Sequence, residues 1–568
     1  MKLERELGLD IRWYAGTRLK PPASLKDIDF DSFRDNVRKF TCDDLVFQCA
    51  QLCWYAWEHD RVLKNPKHVL ACRYAPKIAA AAGLFSPGKG RDPASEVECR
   101  ILVGEYFNSD DIYGQETKIR DVLKDEIGRQ AQKYELLKKI PVNDIGSVVA
   151  SLLIVRTAQV QWEGYAYSRS DWVRALLIHE KFSQIFTAKT NLQLKGFERV
   201  FFGCEARKFF ASAWLVFSLS NSDYSEHKTV RLIRCDGLNI PPEVCAHLDL
   251  SIDDVHGVVR HLGVRTDALR LARKKVEQLP LQDRSVSPAL DTFSDRPIAI
   301  LKDRDGIDTF ILISPWKFLL KITESIGRDF LIYLSKQKDD GEPKLANVDI
   351  YSMRGDAYAA YHRELFASVP NLTCLDEVDW FKAGEKKGDW LWIGKEWAIV
   401  IETKVNMRPN VDRSFFHPGS LGAVWGALSK GLKQALCTFG SSGISPDLFK
   451  GKKRAVLLVA NEAIPKQLSS FLDAAKKWDF LESEGDALGV LSSAELEIAL
   501  FTSDADAIGE ALKKDWDALK PFALGDKPPE VLDMLLDRRR AEELPHVKSA
   551  WDKIFPPPPA TPKATNTT

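Results

Sequence analysis

The sequence predicts an α/β domain in the C-terminal half of the chain, fused to a mainly helical α+β region in the N-terminal half. Two observations carry this prediction. In residues 40–57, 117–139 and 170–187, apolar side chains recur at three- and four-residue spacing, which is typical of amphipathic helices. From residue 350 onward, short apolar strands alternate with helical segments. That alternation indicates an α/β domain of roughly 180 residues.

Composition bounds the class of protein without identifying a partner. A chain of 568 residues is too long for one hydrophobic core and predicts roughly three or four domains. Its 80 basic and 80 acidic residues cancel, so net charge argues neither for nor against a nucleic acid. The ten cysteines include no Cys-x-x-Cys pair, the start lacks a secretory signal, and no apolar stretch reaches the ~20 residues that span a bilayer. We therefore expect a soluble, cytoplasmic protein.

Changes in pattern divide the chain into four predicted parts. These are a mainly helical region of one or two subdomains (1–295), a hairpin, helix and linker (296–346), the α/β domain (347–526), and a C-terminal helix with a disordered proline-rich tail (527–568). The second part contains two short apolar runs joined through Asp305-Gly306, which predicts a β-hairpin. A helix over residues 315–334 follows, and the charged residues 336–346 indicate a linker.

The α/β domain is predicted element by element from apolar runs and their breakers. Strands are expected at residues 389–393, 397–405 and 455–460, and helices at 355–369, 420–439, 464–477 and 504–519. Pro370 ends the first of these helices, because the residue before a proline disfavours helical geometry.

The residues that could form a catalytic site lie in one segment, residues 388–405, with the sequence GDWLWIGKEWAIVIETKV. Its two strands meet at a turn near Gly394, where either a two-residue type II′ loop or a four-residue loop is possible. The four-residue loop would pair Asp389 directly with Glu402. Both loops place Asp389, Glu402 and Lys404 on one face, because side chains alternate with period two, whereas an odd loop would separate them.

Two carboxylates on one face suit a hard cation. Mg²⁺ takes oxygen ligands and keeps several waters, so Asp389 and Glu402, with the carbonyl of Thr403, are candidate metal ligands. Lys404 lies on the same side, where its ammonium can orient an attacking water and offset transition-state charge. The sequence therefore predicts a Mg²⁺ or Mn²⁺ site with Lys404 as a catalytic group.

This arrangement resembles the PD-(D/E)xK nuclease superfamily. In that family an Asp at a strand start is followed about a dozen residues later by Glu-x-Lys in the next strand. Here twelve residues separate Asp389 from the triplet Glu402-Thr403-Lys404. Gly388 stands where the family pattern has proline, and the resemblance covers only residues 350–460.

The resemblance implies a restriction-endonuclease-like mixed sheet flanked by helices. It implies an acidic residue on the preceding helix, which Glu364 matches, and a polar residue on the following helix, which Lys433 or Gln434 matches. It also implies Mg²⁺-dependent hydrolysis of phosphodiester bonds, with DNA rather than RNA as substrate. By analogy, large fusions of this kind resemble bacterial restriction and anti-phage effectors, in which the extra region binds a protein partner or a second copy of the chain.

Other interpretations stay open. Glu402 and Lys404 could form an ordinary ion pair at a strand end, and the chain could be a non-enzymatic nucleic-acid-binding or assembly protein that uses a nuclease-like fold as a scaffold. Glu364 could equally be a solvated helical residue. Basic clusters at residues 265–275 and 450–454 could contact phosphates, although a solvated face is the default. An intact Asp…Glu-x-Lys set favours the enzyme, because a scaffold has no need to keep all three residues.

Overall fold

The computed structural model describes most of the chain. The described residues are 29–60, 66–86, 92–109, 116–141, 169–230, 232–235, 242–280, 284, 287–302, 305–339, 345, 348–375, 387–404, 418–440, 446–460, 469–481, 486–519 and 544–555. The predicted proline-rich tail and much of the predicted linker after residue 339 lie outside them.

The N-terminal half is mainly helical, as predicted. Its α-helices are α1 (Phe30–Val37), α2 (Cys42–His59), α3 (Pro66–Phe85), α4 (Glu96–Ser109), α5 (Glu116–Lys133), α6 (Glu135–Lys138), α7 (Arg169–Thr190), α8 (Leu194–Phe202), α9 (Ala206–His227), α10 (Pro242–His247), α11 (Ile252–Leu262), α12 (Thr266–Leu269), α13 (Arg273–Glu277) and α14 (Thr292–Asp295). The predicted helix over residues 117–139 is broken at Tyr134, whose extended backbone separates α5 from α6. No helix in the described part of the chain is long and apolar enough to cross a bilayer.

A small four-stranded sheet accompanies these helices, in the order β1-β4-β3-β2. Its strands are β1 (Ile233–Arg234), β2 (Gly263–Arg265), β3 (Ile298–Lys302) and β4 (Asp308–Leu312). The antiparallel pair β3 and β4 is the predicted hairpin, and Gly306 adopts the positive φ of 79° that its turn requires. The helix predicted after it is present and continuous: α15 (Pro315–Leu320) and α16 (Ile326–Asp339) are joined by a π-helical turn, and the helix ends at residue 339. The linker therefore begins later than predicted.

The C-terminal half contains a five-stranded mixed sheet in the order β5-β6-β7-β8-β9. Its strands are β5 (Leu372–Cys374), β6 (Trp390–Ile393), β7 (Trp397–Lys404), β8 (Lys453–Ala460) and β9 (Ala487–Ser492), and its helices are α17 (Ile350–Phe366), α18 (Pro418–Phe439), α19 (Ser469–Lys477), α20 (Ser493–Thr502), α21 (Ala505–Ala518) and α22 (Pro545–Ile554). Strands β5, β6 and β7 are antiparallel neighbours, and β7, β8 and β9 run parallel. The expected α/β architecture is confirmed, and β5, β9 and α20 add to the predicted elements.

Side-chain caps set the starts of several helices. Ser314 accepts a hydrogen bond from the backbone N–H of Lys317 and is followed by a proline in the first turn of α15. Asp349 caps α17 in the same way, which starts this helix five residues earlier than predicted. Ser492 and Glu495 form a capping box at the start of α20.

Two hydrophobic cores form, and they do not follow the predicted boundaries. The core around the five-stranded sheet includes Ile127, Leu137 and Ile140, from α5, α6 and the residue pair that follows. The prediction that residues 1–295 form a separate region is therefore wrong for residues 116–140. Conversely, Leu544 and Val547 of the C-terminal helix α22 pack into the core of the N-terminal half.

Helix α5 lies in close contact with α18 of the α/β domain. A Cβ at Gly426 would come within 2.5 Å of the Oε1 of Gln130 and 2.9 Å of the Cε2 of Tyr134. A side chain at this position would have to displace the Gln130 amide and the Tyr134 ring, so the two helices pack closely here. Because α18 also covers β7, α5 supports the helix that faces the predicted site.

Candidate active site

The β6–β7 hairpin has the four-residue connection of the two alternatives. Ile393 pairs with Ala398 and Trp390 pairs with Ile401, so the two-residue type II′ loop is wrong. The carboxylate of Asp506 accepts hydrogen bonds from three backbone N–H groups of the loop, at 2.7 to 3.0 Å. Gly394 is needed because a Cβ there would lie 2.1 Å from this carboxylate. Burial raises the pKa of Asp506, but the three donors outweigh it, so the pKa lies below its usual value.

Asp389 lies immediately before β6, where the β6–β7 ladder ends. Its N–H donates to the carbonyl of Ile401 at 3.1 Å, and its carbonyl accepts from Leu375 at 3.0 Å. Its Oδ2 accepts the N–H of Thr403 at 2.7 Å and the Thr403 hydroxyl at 2.6 Å. The carboxylate thus takes the place of a backbone acceptor at the end of the ladder.

Glu402 and Lys404 end strand β7, and the structure brings them together. Glu402 is 0% exposed, and the ammonium of Lys404 donates to its Oε1. The same ammonium donates to Oε1 of Gln434 on α18 at 3.2 Å. Lys404 retains 19% exposure, so solvent or a ligand can reach this end of the strand.

The predicted common face holds for Glu402 and Lys404, which alternate with Thr403 along β7. Asp389 differs, because it binds the N–H and hydroxyl of Thr403, the residue whose side chain lies on the other face. Its carboxylate is held at the border between the two faces of the sheet. Sharing one cation with Glu402 would require Oδ1, or a turn of the side chain away from Thr403.

Glu364 is not part of this site, and its predicted role is wrong. The buried side of α17 carries Tyr361, His362 and Leu365, which leaves Glu364 67% exposed on the solvent side. There it forms an ion pair with Lys181 of α7. Surface pairs of this kind contribute about 1 kcal/mol or less.

Helix α18 packs closely against Glu402 and Lys404 at Gly431. A Cβ at Gly431 would lie 3.1 Å from Cγ of Glu402 and 3.1 Å from Cε of Lys404. No group of three or more His, Cys, Asp or Glu in the described residues could hold a metal. The protein ligands would therefore be two carboxylates and the Thr403 carbonyl, a sparse oxygen set that suits Mg²⁺ because this ion keeps several waters. The donor chemistry fits such an ion.

A residue that the sequence analysis missed is Thr438, one turn after Gln434 on α18. Its hydroxyl accepts the N–H of Gly388 at 2.8 Å, next to Asp389. Gln434 itself donates to the carbonyl of Lys387 at 3.4 Å. The signal was the four-residue spacing, which places Thr438 on the same side of the helix as Gln434.

The two basic clusters are engaged within the protein. Lys452 donates to the carbonyls of Gly394 and Lys395, and Arg454 forms two 2.9 Å bonds with Asp486. This turn lies at the start of β8, whereas Lys404 pairs with Ala460 at its end. In the other cluster, residues 265–275, Arg265 pairs with Asp267 and Asp308, and Arg273 with Glu277.

A second group of buried charges surrounds Glu497 of α20, which is also 0% exposed. The guanidinium of Arg174 on α7 donates to both carboxylate oxygens of Glu497 and to Asp171 at 2.7 Å. The hydroxyl of Tyr361 donates to Oε1 at 2.8 Å, and Nε2 of His546 lies 3.8 Å from Oε2. Burial raises the pKa of Glu497, but Arg174 and His546 reverse this and hold it at about 2.

Beside this group, His362 of α17 is buried with its Nε2 3.2 Å from the hydroxyl of Ser493. Burial lowers the pKa of His362 to about 4. The Glu497 group joins elements from both halves of the chain, since Arg174 lies on α7 of the N-terminal half and Glu497 on α20 of the α/β domain.

Comparison with known proteins leaves the site to be interpreted from its own geometry. No protein-family model, no curated protein and no solved structure matches this chain.

Proposed function

We propose that the α/β domain is a metal-dependent nuclease that hydrolyses phosphodiester bonds. One observation carries the proposal: Glu402, Lys404 and Gln434 meet at the reachable end of a buried strand. Asp389 begins the neighbouring strand and is bonded into the same Glu-Thr-Lys triplet. The helix before the sheet, the antiparallel hairpin and the following α18 occur in the order that the resemblance implied.

Asp389, Glu402 and the Thr403 carbonyl are the groups that would hold Mg²⁺ or Mn²⁺. When bound, such an ion supplies Lewis acidity and lowers the pKa of a water. Lys404 contributes a compact ammonium that can hold a water or a phosphate oxygen by hydrogen bonds. Gln434 orients that ammonium, because its amide oxygen accepts one of the three Lys404 protons.

For the substrate we propose DNA rather than RNA. The basis is the sequence resemblance together with the size of the fusion, by analogy with bacterial restriction and anti-phage effectors. The N-terminal half is then the part that would bind a protein partner or a second copy of the chain.

A second candidate function has its own supporting observation. In this structure Lys404 binds Glu402, and Thr403 binds Asp389, so the polar groups satisfy one another as they would at a structural strand end. This arrangement is consistent with a non-enzymatic scaffold that retains a nuclease-like fold.

Incubation of the full chain with supercoiled plasmid, linear duplex DNA and RNA separates the two functions. Each substrate is tested with Mg²⁺, with Mn²⁺ and with EDTA. A nuclease cuts only with the ions, and Glu402→Gln, which keeps the shape and removes the charge, lowers the rate by more than about 100-fold, the upper end of the loss for an outer partner of a metal site. Equal cleavage by wild type and Glu402→Gln would place the activity elsewhere, and no cleavage of any substrate would favour the scaffold.

A further inference from the structure

One buried hydroxyl holds the peptide group between Lys387 and Gly388, one residue before Asp389. Thr438 is completely buried, accepts the N–H of Gly388 at 2.8 Å and donates to the carbonyl of Gln434 at 3.1 Å. Both hydrogen-bonding capacities of the hydroxyl are thereby used. A buried N–H that loses its acceptor is destabilised, so this bond fixes the chain one residue before Asp389.

Gly388 suits this bond in two ways. A Cβ at this position would lie 2.4 Å from Cγ1 of Val400, so the close approach of the segment to β7 requires glycine. Glycine also retains the N–H that Thr438 binds, whereas a proline, which the resembling family has here, has none. A proline fixes φ through its ring. In this chain a hydrogen bond to α18 takes over that restraint.

The same side of α18 holds the opposite part of the site. One turn before Thr438, Gln434 accepts a hydrogen bond from Lys404 and donates to the carbonyl of Lys387. Two successive turns of one helix therefore contact β7 and the segment preceding β6. Helix α18 sets the distance between these two strand ends.

We propose that Thr438 is a positioning residue, which sets the place of the Asp389 carboxylate relative to Glu402 and Lys404. This inference rests on the proposed function of the site. Without the hydroxyl, the segment at Gly388 is free to shift, and Asp389 no longer meets a divalent cation together with Glu402. Residues that orient metal ligands typically change metal affinity by 10–100-fold when replaced.

The test compares Thr438→Val with a matched control in the full chain. Thr190 is also buried, donates to the carbonyl four residues earlier at 2.7 Å and accepts the N–H of Leu192 at 3.1 Å. Thr190→Val removes the same bonds far from the site. Mn²⁺ binding is followed by electron paramagnetic resonance of the free ion, and folding by thermal unfolding.

We expect Thr438→Val to bind Mn²⁺ about 10-fold more weakly than wild type, Thr190→Val to bind normally, and Thr438→Ser to recover most of the affinity. Equal Mn²⁺ affinity in both valine variants would overturn the positioning role even if the wild type cuts DNA. A wild type that neither binds Mn²⁺ nor cuts would overturn the proposed function, and this inference with it. If Thr438→Val does not fold, Thr438→Ala and Thr190→Ala replace the pair, because the smaller side chain admits a water to the N–H.

Discussion

Two glutamates of the α/β domain, Glu402 and Glu497, are equally buried and yet differ in what surrounds them. Glu497 is bound by Arg174, Tyr361 and His546, which come from three helices in different parts of the chain. Glu402 is bound by Lys404, two residues further along the same strand and partly exposed. Burial alone therefore does not separate a structural carboxylate from the reactive one that we propose. What differs between the two glutamates is where these partners lie in the chain and how exposed they are.

The difference in partners predicts that substitutions at the two glutamates change the free energy of unfolding by different amounts. The Arg174 guanidinium is fixed in a buried position by Glu497 and Asp171, so removing Glu497 would leave a buried positive charge with one partner fewer. Lys404 can instead turn its ammonium towards solvent when Glu402 is changed. Substitution should therefore affect mainly stability at one glutamate and mainly chemistry at the other.

The largest effect should be the loss of cleavage in Glu402→Gln without a matching loss of fold. The proposed site loses a metal-binding charge, whereas the free energy of unfolding should change little, because the partly exposed Lys404 can turn its ammonium towards solvent. Urea unfolding and metal-dependent cleavage of the same preparation measure the two quantities. A variant that loses several kcal/mol of stability would make Glu402 a structural residue like Glu497.

Glu497→Ala should lower the free energy of unfolding by roughly 3–5 kcal/mol, because Arg174 keeps a buried charge with a lost partner. Urea unfolding measures the loss. The double variant Arg174→Met with Glu497→Met is the control, and it should recover much of the stability by removing both charges. If the single variant is as stable as wild type, the buried bonds to Glu497 contribute nothing.

Acid should destabilise the protein in two successive ranges. The pKa of His362 is lowered to about 4 from 6.5, so its contribution to stability is present above pH 6.5 and lost as pH falls to 4. The pKa of Glu497 is lowered to about 2 from 4.5, so its contribution is present above pH 4.5 and lost towards pH 2, amounting to about 3 kcal/mol. Unfolding free energies of wild type and Glu497→Gln across pH 2–7 measure both. A Glu497→Gln curve as steep as wild type below pH 4.5 would contradict the assignment.

The smallest effect should come from a third glutamate, Glu364. Because its pair with Lys181 is exposed, Glu364→Gln should change stability by less than about 1 kcal/mol and leave the cleavage rate unaltered. The variant also serves as the matched control for Glu402→Gln. A large loss of cleavage would return Glu364 to the site, where the sequence had placed it.

Local patterns predicted that Glu402, Lys404 and Gln434 lie together, but not all of the geometry of the candidate site. Alternation along β7 places Glu402 and Lys404 together, and the apolar spacing of α18 brings Gln434 to them. Asp389 departs from the predicted face because regular strand pairing stops at this residue. Alternation predicts the face of a side chain only within a regular ladder. Glu364 fails because the exposed side of α17 depends on its packing against α7, which a single helix cannot show.

What escaped prediction depends on residues distant in sequence. Asp506 binds the hairpin loop from 111 residues away, Thr438 binds Gly388 across 50, and Arg174 binds Glu497 across 323. Each of these side chains is unremarkable within its own helix. Only the fold identifies the partner of each side chain. The same holds for α5, whose packing into the core around the five-stranded sheet was not predicted.

The packing of α5 against α18 has a consequence for folding during synthesis on the ribosome. Roughly 280 residues separate the end of α5 from the start of α18, and at about 5–20 residues per second a ribosome needs some 15–60 s to make them. During this time Ile127, Leu137 and Ile140 lack most of the partners that they have in the complete core. The apolar surface of α5 therefore stays exposed on the nascent chain, where a chaperone can bind it. The nuclease that we propose can fold completely only after α18 and the strands that follow it have been translated.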